Sequence, residues 1–107
     1  MRNARRLVAA YFVLMQEIEN DDRYRNEYLP QVLPLLQKHG AQALIAGSDA
    51  VPAEGDPPNS TVVMRFADTD AVWSFLNDPD HQTVTEIRLS VTSRSQMEVA
   101  PEFAPPG

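Results

Sequence analysis

Three residues whose side chains transfer protons or bind anions recur at helical spacing late in the chain. His81, Thr85 and Arg88 occupy positions i, i+4 and i+7, which places them on one face of a helix. A histidine can take up and return a proton near neutral pH. Arg88 has Val84 one turn before it and Thr92 one turn after it, so no carboxylate of its own helix pairs with it. Such an arginine can hold a ligand carboxylate or enolate, and His81 and Arg88 are therefore the candidate catalytic residues.

Three aromatic residues could complete a ligand site around this helical face. Tyr11, in a predicted strand, and Tyr28, in a predicted helix, offer hydroxyl groups that can donate hydrogen bonds. Phe75 lies in the apolar stripe of a short predicted helix. Together with Thr85, these are the candidate ligand-binding residues.

Each candidate also has a purely structural interpretation. Arg88 could form a structural ion pair or lie in a subunit interface, and His81 could be a partly exposed residue of a first helical turn. Tyr11, Tyr28 and the single tryptophan, Trp73, could be core or interface aromatics. Residue types and spacing alone leave both interpretations open.

Composition limits the classes of function. The 107 residues suffice for one domain, with an ordered core predicted over about residues 7–100 and a Pro-rich tail over 101–107. Fifteen acidic against nine basic residues give a net charge of −6, which disfavours binding to nucleic acid or to an anionic membrane. Cysteine is absent, which excludes disulfides and thiolate metal sites and fits a cytoplasmic location. We expect no metal and no cofactor.

The first predicted element is a strand over residues 7–18. Basic residues at 2, 5 and 6 precede it as in a signal peptide, but the apolar run is short and has no clear cleavage site, so a buried strand is favoured. The run is apolar on both alternating faces, with Tyr11 and Val13 on one and Phe12 and Leu14 on the other. Such a strand is covered on both sides, which is the first indication of a dimer.

Helices and strands then alternate along the chain. Polar residues at 20–22 begin a helix that runs to Gly40, with a kink or a break expected at Pro30 and Pro34. Strands follow over 41–46 and 61–66, joined by a Pro- and acid-rich loop. Asp68 or Thr69 caps a short helix, and Asp78 with Pro79 starts another that runs to about residue 90. A last edge strand spans 92–99.

This order, βαββαβ, is that of an α+β, ferredoxin-like domain. Right-handed crossovers would place the helices on one face of a four-stranded antiparallel sheet. The other face would be bare, and we expect Phe12, Leu14 and the apolar side of residues 61–66 to pair it with a second sheet, as in a dimeric α+β barrel. Arg65, between Met64 and Phe66, should also point to that face.

Scattered residues in this order resemble domain-of-unknown-function family 1330, within the dimeric α+β barrel superfamily. The matching positions are Tyr28, Lys38, His39, Gly40, Glu54, Gly55, Asp56, Val62, Val63, Phe66, Ala71, Phe75, Pro79, Gln82 and Arg88. The chain departs from the family pattern at His81, where relatives usually carry tyrosine, and in having Trp73 as an extra aromatic. The resemblance implies a homodimer. Superfamily members include cofactor-free monooxygenases, a lactone isomerase and haem enzymes, so the fold does not choose a chemistry.

Two hypotheses of function follow. The first is a homodimer that binds a small organic ligand between sheet and helices, and, if it is an enzyme, a cofactor-independent isomerase or monooxygenase for a carbonyl or phenolic compound. Arg88 would hold the anion, His81 would carry the proton, and Tyr11 or Tyr28 would orient the ligand. The second is a non-catalytic dimerisation or partner-binding module, which predicts a filled core and no enclosed pocket.

Overall fold

The computed structural model describes residues 8–106 and confirms the ferredoxin-like order. The elements are β1 (Ala10–Ile18), α1 (Asp21–Arg23), a π-helical segment (Tyr24–Tyr28), α2 (Leu29–Lys38), β2 (Gln42–Gly47), β3 (Ser60–Phe66), α3 (Thr69–Leu76), α4 (Pro79–Ser90) and β4 (Thr92–Pro101). The strands lie in the order β2-β3-β1-β4, and all neighbours are antiparallel. The part of the first predicted strand at residue 7 lies outside the described residues. Within the described chain, no helix is long and apolar enough to cross a bilayer.

The alternation of β1 decides what the helices cover. The residues buried beneath the helices are Ala10, Phe12, Leu14 and Gln16. The residues on the open face of the sheet are Tyr11, Val13 and Met15, which are half-buried. The prediction that Phe12 and Leu14 pair the sheet with a partner was therefore wrong, because both belong to the core beneath the helices. Arg65 is exposed between the buried Met64 and Phe66, as predicted.

The predicted interruption of the first helix takes the form of a widened turn. Asn20 begins the helix, since its side chain accepts a hydrogen bond from the Arg23 amide. The Leu29 amide donates to the Tyr24 carbonyl, a π-type bond that skips one more residue than an α-helix does. Pro30 has no amide hydrogen and its ring crowds the preceding turn, and the wider turn relieves that conflict. The helix then passes through Pro34 and ends before Gly40, whose φ is 73°.

Two aspartates set the starts of the later helices. The Asp68 side chain accepts from the Ala71 amide at 2.8 Å, and Asp78 Oδ1 accepts from the Asp80 amide at 2.9 Å. Asp78 was predicted as a cap, and of the two residues predicted for α3, Asp68 and Thr69, Asp68 is the cap. Asp78 Oδ2 also lies 2.9 Å from Lys38 Nζ and 2.8 Å from His39 Nε2, so the start of α4 is tied to the end of α2. Hydrogen bonds from His39 and Lys38 hold the pKa of the Asp78 carboxyl far below its usual range.

Strand β4 contains a bulge and runs further than predicted. Gln16 pairs with Ser95 while Glu17 pairs with Ser93, which leaves Arg94 as an extra residue at a φ of 40°. Beyond the bulge, Ser95 and Met97 lie on the helix-covered side, opposite Gln16 and Leu14. The strand continues to Pro101, where a tail was predicted. The last residues of the strand are therefore part of the sheet.

Candidate functional site

A pocket of about 210 Å³ lies between the sheet and the helices. Its lining is apolar except for two tyrosines, one histidine and one arginine. The lining residues are Phe12, Leu14, Tyr24, Tyr28, Leu29, Val32, Leu33, Leu36, Ala43, Ala46, Val62, Met64, Phe75, His81, Arg88 and Met97. Strand β2 contributes the small side chains of Ala43 and Ala46 to this lining.

Arg88 extends its side chain from α4 toward the sheet and lines this pocket as a buried cation. Its side chain is only 3% exposed, and its Nη1 donates to Gln16 Oε1 at 3.0 Å and to Ser95 Oγ at 2.8 Å. Within residues 8–106, no carboxylate forms a salt bridge with it. A guanidinium that is buried among neutral partners is costly to desolvate, and an incoming anion would offset that cost.

His81 is the second ionisable group of the pocket. It is 5% exposed, so its interpretation as a partly exposed residue was wrong, and its ring lies 4.1 Å from that of Phe75. Burial lowers the pKa of His81, which keeps the imidazole neutral near pH 7. Nδ1 lies 3.5 Å from the Leu76 carbonyl oxygen, which can only accept a hydrogen bond. With the hydrogen on Nδ1, the Nε2 lone pair lies 3.5 Å from Thr85 Oγ1, whose hydroxyl can donate to it.

Two tyrosines of the π-helical segment face the same space. The Tyr24 and Tyr28 rings are 5.0 Å apart, and both side chains are buried. Burial raises the pKa of each hydroxyl, so both remain protonated near neutral pH. Tyr24 Oη accepts from Gln16 Nε2 at 3.1 Å. Among the described residues, the Tyr28 hydroxyl has no hydrogen-bond partner, and it can therefore serve a ligand.

A family comparison identifies the relatives of this chain. The model of a family described as Domain of unknown function (DUF1330) matches residues 9–100. The chain belongs to this family. Comparison with curated proteins gives no significant match.

Three solved structures show the same fold as this DUF1330 chain. A protein of unknown function from Rhodopseudomonas palustris has 11% identity and a TM-score of 0.71, with 94% of this chain and 86% of that chain covered. SnoaB, a cofactor-independent oxygenase from Streptomyces nogalater, has 14% identity, a TM-score of 0.61 and coverage of 94% and 95%. A dimeric protein of unknown function with a ferredoxin-like fold from Bacteroides fragilis has 14% identity, a TM-score of 0.61 and coverage of 87% and 95%. At these identities the likeness concerns the fold alone.

The structure brings together four of the six candidate residues. His81, Arg88, Tyr28 and Phe75 line one pocket. Thr85 does not line it, but its Oγ1 lies 3.5 Å from His81 Nε2.

Tyr11 lies elsewhere, on the open face of the sheet, because odd-numbered residues of β1 point away from the helices. Its hydroxyl donates to Glu102 Oε1 at 2.9 Å. In this DUF1330 chain, Tyr11 is therefore not a contact of the pocket, which corrects its assignment as a ligand-orienting residue.

Three residues around the pocket were not anticipated: Gln16, Tyr24 and Ser95. Gln16 interrupts the apolar, helix-facing side of β1, and a polar residue at a buried strand position is a signal that could have been used. Tyr24 precedes Tyr28 by one helical turn, which is a further signal. Ser95 lies two residues before Met97, so ordinary alternation puts both on the helix-covered side, and this signal too could have been used.

Proposed function

We propose that this DUF1330 chain binds a small, mostly apolar organic anion in the pocket between its sheet and its helices. The observation that carries the proposal is the buried Arg88 guanidinium, which has only neutral partners among the described residues and lines an apolar pocket beside His81. A volume of about 210 Å³ lies below the range of about 300–1,000 Å³ for pockets that hold drug-sized ligands. The ligand is accordingly a compound of about one ring.

If the protein is an enzyme, the arrangement suits cofactor-independent isomerisation of a carbonyl compound or oxygenation of a phenolic one. In an isomerisation, His81 Nε2 would take a proton from the carbon next to the carbonyl, and Arg88 would stabilise the enolate. His81 would then return the proton to another carbon of the same molecule. Tyr28 would orient the ligand, and Phe75 would support the His81 ring. The Thr85 hydroxyl, 3.5 Å from Nε2, would give up that lone pair to the ligand.

Oxygenation would use the same anion with dioxygen as the second reactant. One oxygen atom would form a new carbonyl on the ligand, and the other would leave as water with the two hydrogens that the ligand loses. An electron-rich phenolate or enolate is the form of such a compound that dioxygen oxidises most readily. SnoaB, which shares the fold, is described as a cofactor-independent oxygenase, and this supports the second chemistry. The pocket residues would stabilise the anion and exclude water from it, and the reaction would need no cofactor.

We also propose that the chain is a cytoplasmic homodimer that pairs through the open face of its sheet. Tyr11, Val13 and Met15 supply apolar surface there, and Val63 lies beside Val13 on the neighbouring strand. The Bacteroides fragilis relative of the same fold is described as dimeric. This apolar face is also what supports the second candidate function, a non-catalytic dimerisation or partner-binding module.

A thermal-shift screen against small carboxylates, phenols and lactones tests the two functions against each other. We expect at least one class to raise the melting temperature of the wild-type protein. The double variant His81→Phe/Arg88→Met should fold and lose that shift, because it keeps the shape of the pocket and removes the cation and the imidazole from its lining. Tyr11→Phe is the matched control, since it removes a hydroxyl from the other face of the sheet.

Absence of any stabilising compound would favour the module. An unchanged shift in the double variant would refute the assignment of His81 and Arg88 to the site. Analytical ultracentrifugation of the same proteins would report whether they are dimers, and a monomer would contradict the proposed assembly.

A further inference from the structure

The side-chain amide of Gln16 joins Arg88 to Tyr24, and the direction of its hydrogen bonds can be assigned. A guanidinium only donates, so the amide end that lies 3.0 Å from Arg88 Nη1 must be the oxygen. The other end is then the amino group, which donates to Tyr24 Oη at 3.1 Å. Gln16 is completely buried, so neither end can exchange its partner for bulk water.

This direction decides what Tyr24 can offer a ligand. Because the Tyr24 oxygen accepts from Gln16, its own hydrogen points away from Gln16. Within residues 8–106 that hydrogen has no acceptor, and the Tyr24 side chain lines the pocket. At neutral pH the hydroxyl keeps its hydrogen, since burial raises its pKa.

Arg88 likewise has N–H groups that form no hydrogen bond to the described residues. Its two hydrogen bonds to protein groups both leave from Nη1. Among the described residues, Nε and Nη2 therefore have no protein partner, and the side chain lines the pocket. The two ends of one carboxamide thus hold a cationic donor and a neutral donor side by side, and the Tyr28 hydroxyl adds a third donor.

We infer that Gln16 is a positioning residue that makes this end of the pocket a site of hydrogen-bond donors, and that its ligand is a one-ring organic oxyanion held by Arg88 and Tyr24. The inference rests on the proposed function and narrows it to ligands that present an ionised oxygen. A ligand that offers only a donor would leave Arg88 and Tyr24 unpaired in an apolar pocket, which is unfavourable. Phenolate, enolate and carboxylate oxygens all satisfy the site.

Gln16→Glu is the variant that reverses the arrangement at constant shape. A glutamate would neutralise Arg88 and would accept a hydrogen bond from Tyr24, so the hydroxyl would turn away from the pocket. Tyr24→Phe removes the neutral donor and leaves the Arg88 charge in place. Tyr11→Phe is the control for loss of a tyrosine hydroxyl outside the pocket.

The test uses 4-nitrophenol, whose ionised form absorbs visible light, with benzoate as the carboxylate probe and nitrobenzene as the neutral one. In the wild-type protein we expect the bound phenol to ionise at a pH at least about one unit lower than the free phenol, a tenfold preference for the anion. Gln16→Glu should abolish this spectral shift and still bind nitrobenzene. Tyr24→Phe should bind 4-nitrophenolate about tenfold more weakly than the wild type does. Tyr11→Phe should match the wild type.

The outcomes separate the inference from the proposed function. A wild-type protein that binds nitrobenzene as tightly as nitrophenolate, or a Gln16→Glu variant with an unchanged spectral shift, would overturn the donor site and leave the pocket as a ligand site. Failure of all three probes to bind would overturn both. Benzoate bound more tightly than nitrophenolate assigns the site to carboxylates, and the reverse order assigns it to phenolates and enolates.

Discussion

If Arg88 serves a ligand rather than the fold, removing its charge together with its buried partner should leave the protein nearly as stable as before. Arg88→Met alone removes two hydrogen bonds from a charged group, each contributing about 1.5–3 kcal/mol. It also removes the desolvation penalty of a buried ion, which is several kcal/mol. These effects roughly cancel, and what remains is the buried Gln16 oxygen without a donor, a cost of about 1–3 kcal/mol.

The double variant Gln16→Leu/Arg88→Met removes that orphaned oxygen as well. We expect it to recover to within about 1 kcal/mol of the wild type, because replacing both members of a buried polar pair with apolar groups is often neutral. Gln16→Leu alone should be clearly destabilised, since it leaves the buried cation with Ser95 as its one remaining partner among the described residues. The coupling between the two sites should be at least about 1.5 kcal/mol.

Urea unfolding at a fixed protein concentration measures these differences. Trp73 is the only tryptophan and is 51% exposed on α3, outside the pocket lining, so its fluorescence reports unfolding rather than binding. With a slope of about 1–3 kcal/mol per molar urea, a loss of 2 kcal/mol moves the midpoint by roughly 1 M. Arg25→Met, which breaks an exposed pair with Asp21, is the control and should move the midpoint little.

Additive effects of the two single substitutions would refute this reasoning. Additivity would mean that the buried charge carries no penalty for an anion to relieve. A loss of more than about 4 kcal/mol in Arg88→Met alone would likewise assign Arg88 a role in the fold.

Three further outcomes are expected. The pKa of His81 is lower in the folded chain than in the unfolded chain, where it is about 6.5. The free energy of unfolding should therefore fall as the pH drops below that value. His81→Phe should flatten this part of a stability-versus-pH curve. The pKa of Asp78 is also lowered, so its contacts with Lys38 and His39 stabilise the fold above about pH 4 and are lost below it. Asp78→Asn retains the helix cap but should lower stability at neutral pH. The same variant should weaken the acid-induced transition seen by circular dichroism. Ala46→Leu should fill part of the pocket and weaken any thermal shift by 4-nitrophenol without loss of stability, whereas undiminished binding would place the ligand elsewhere.

Local signals predicted much of the fold and half of the site. The spacing of His81 and Arg88 fixes their helical face whatever the rest of the chain does, and Asp68 and Asp78 act as caps through contacts within three residues. The side of β1 that meets the helices could not be predicted in this way. Both faces of that strand are apolar, and the choice between Tyr11 and Phe12 as the inward residue depends on contacts far along the chain.

The remaining errors concern backbone irregularities. Sequence alternation in the last strand groups residues 93, 95, 97 and 99 on one face, but the bulge at Arg94 separates Ser93 from the others. The second irregularity is the π-helical segment Tyr24–Tyr28, which takes the place of the kink or break expected at the prolines. Neither irregularity has a glycine to mark it, so propensity offers no warning.

The bulge has a consequence for changes in chain length. A deletion of Arg94 would join Ser93, on the open face, directly to Ser95, on the helix-covered face, in ordinary alternation, and would remove a residue held at positive φ. Every later residue of β4 would keep its side. A deletion of Gln96 would instead make Ser95 and Met97 direct neighbours, so one of them would leave the helix-covered side of the sheet. A deletion of Arg94 is therefore compatible with the hydrogen bonds that Gln16 and Ser95 accept from Arg88, and it would release the Arg94 contacts to Glu17 and to the carbonyl and carboxylate of Asp56.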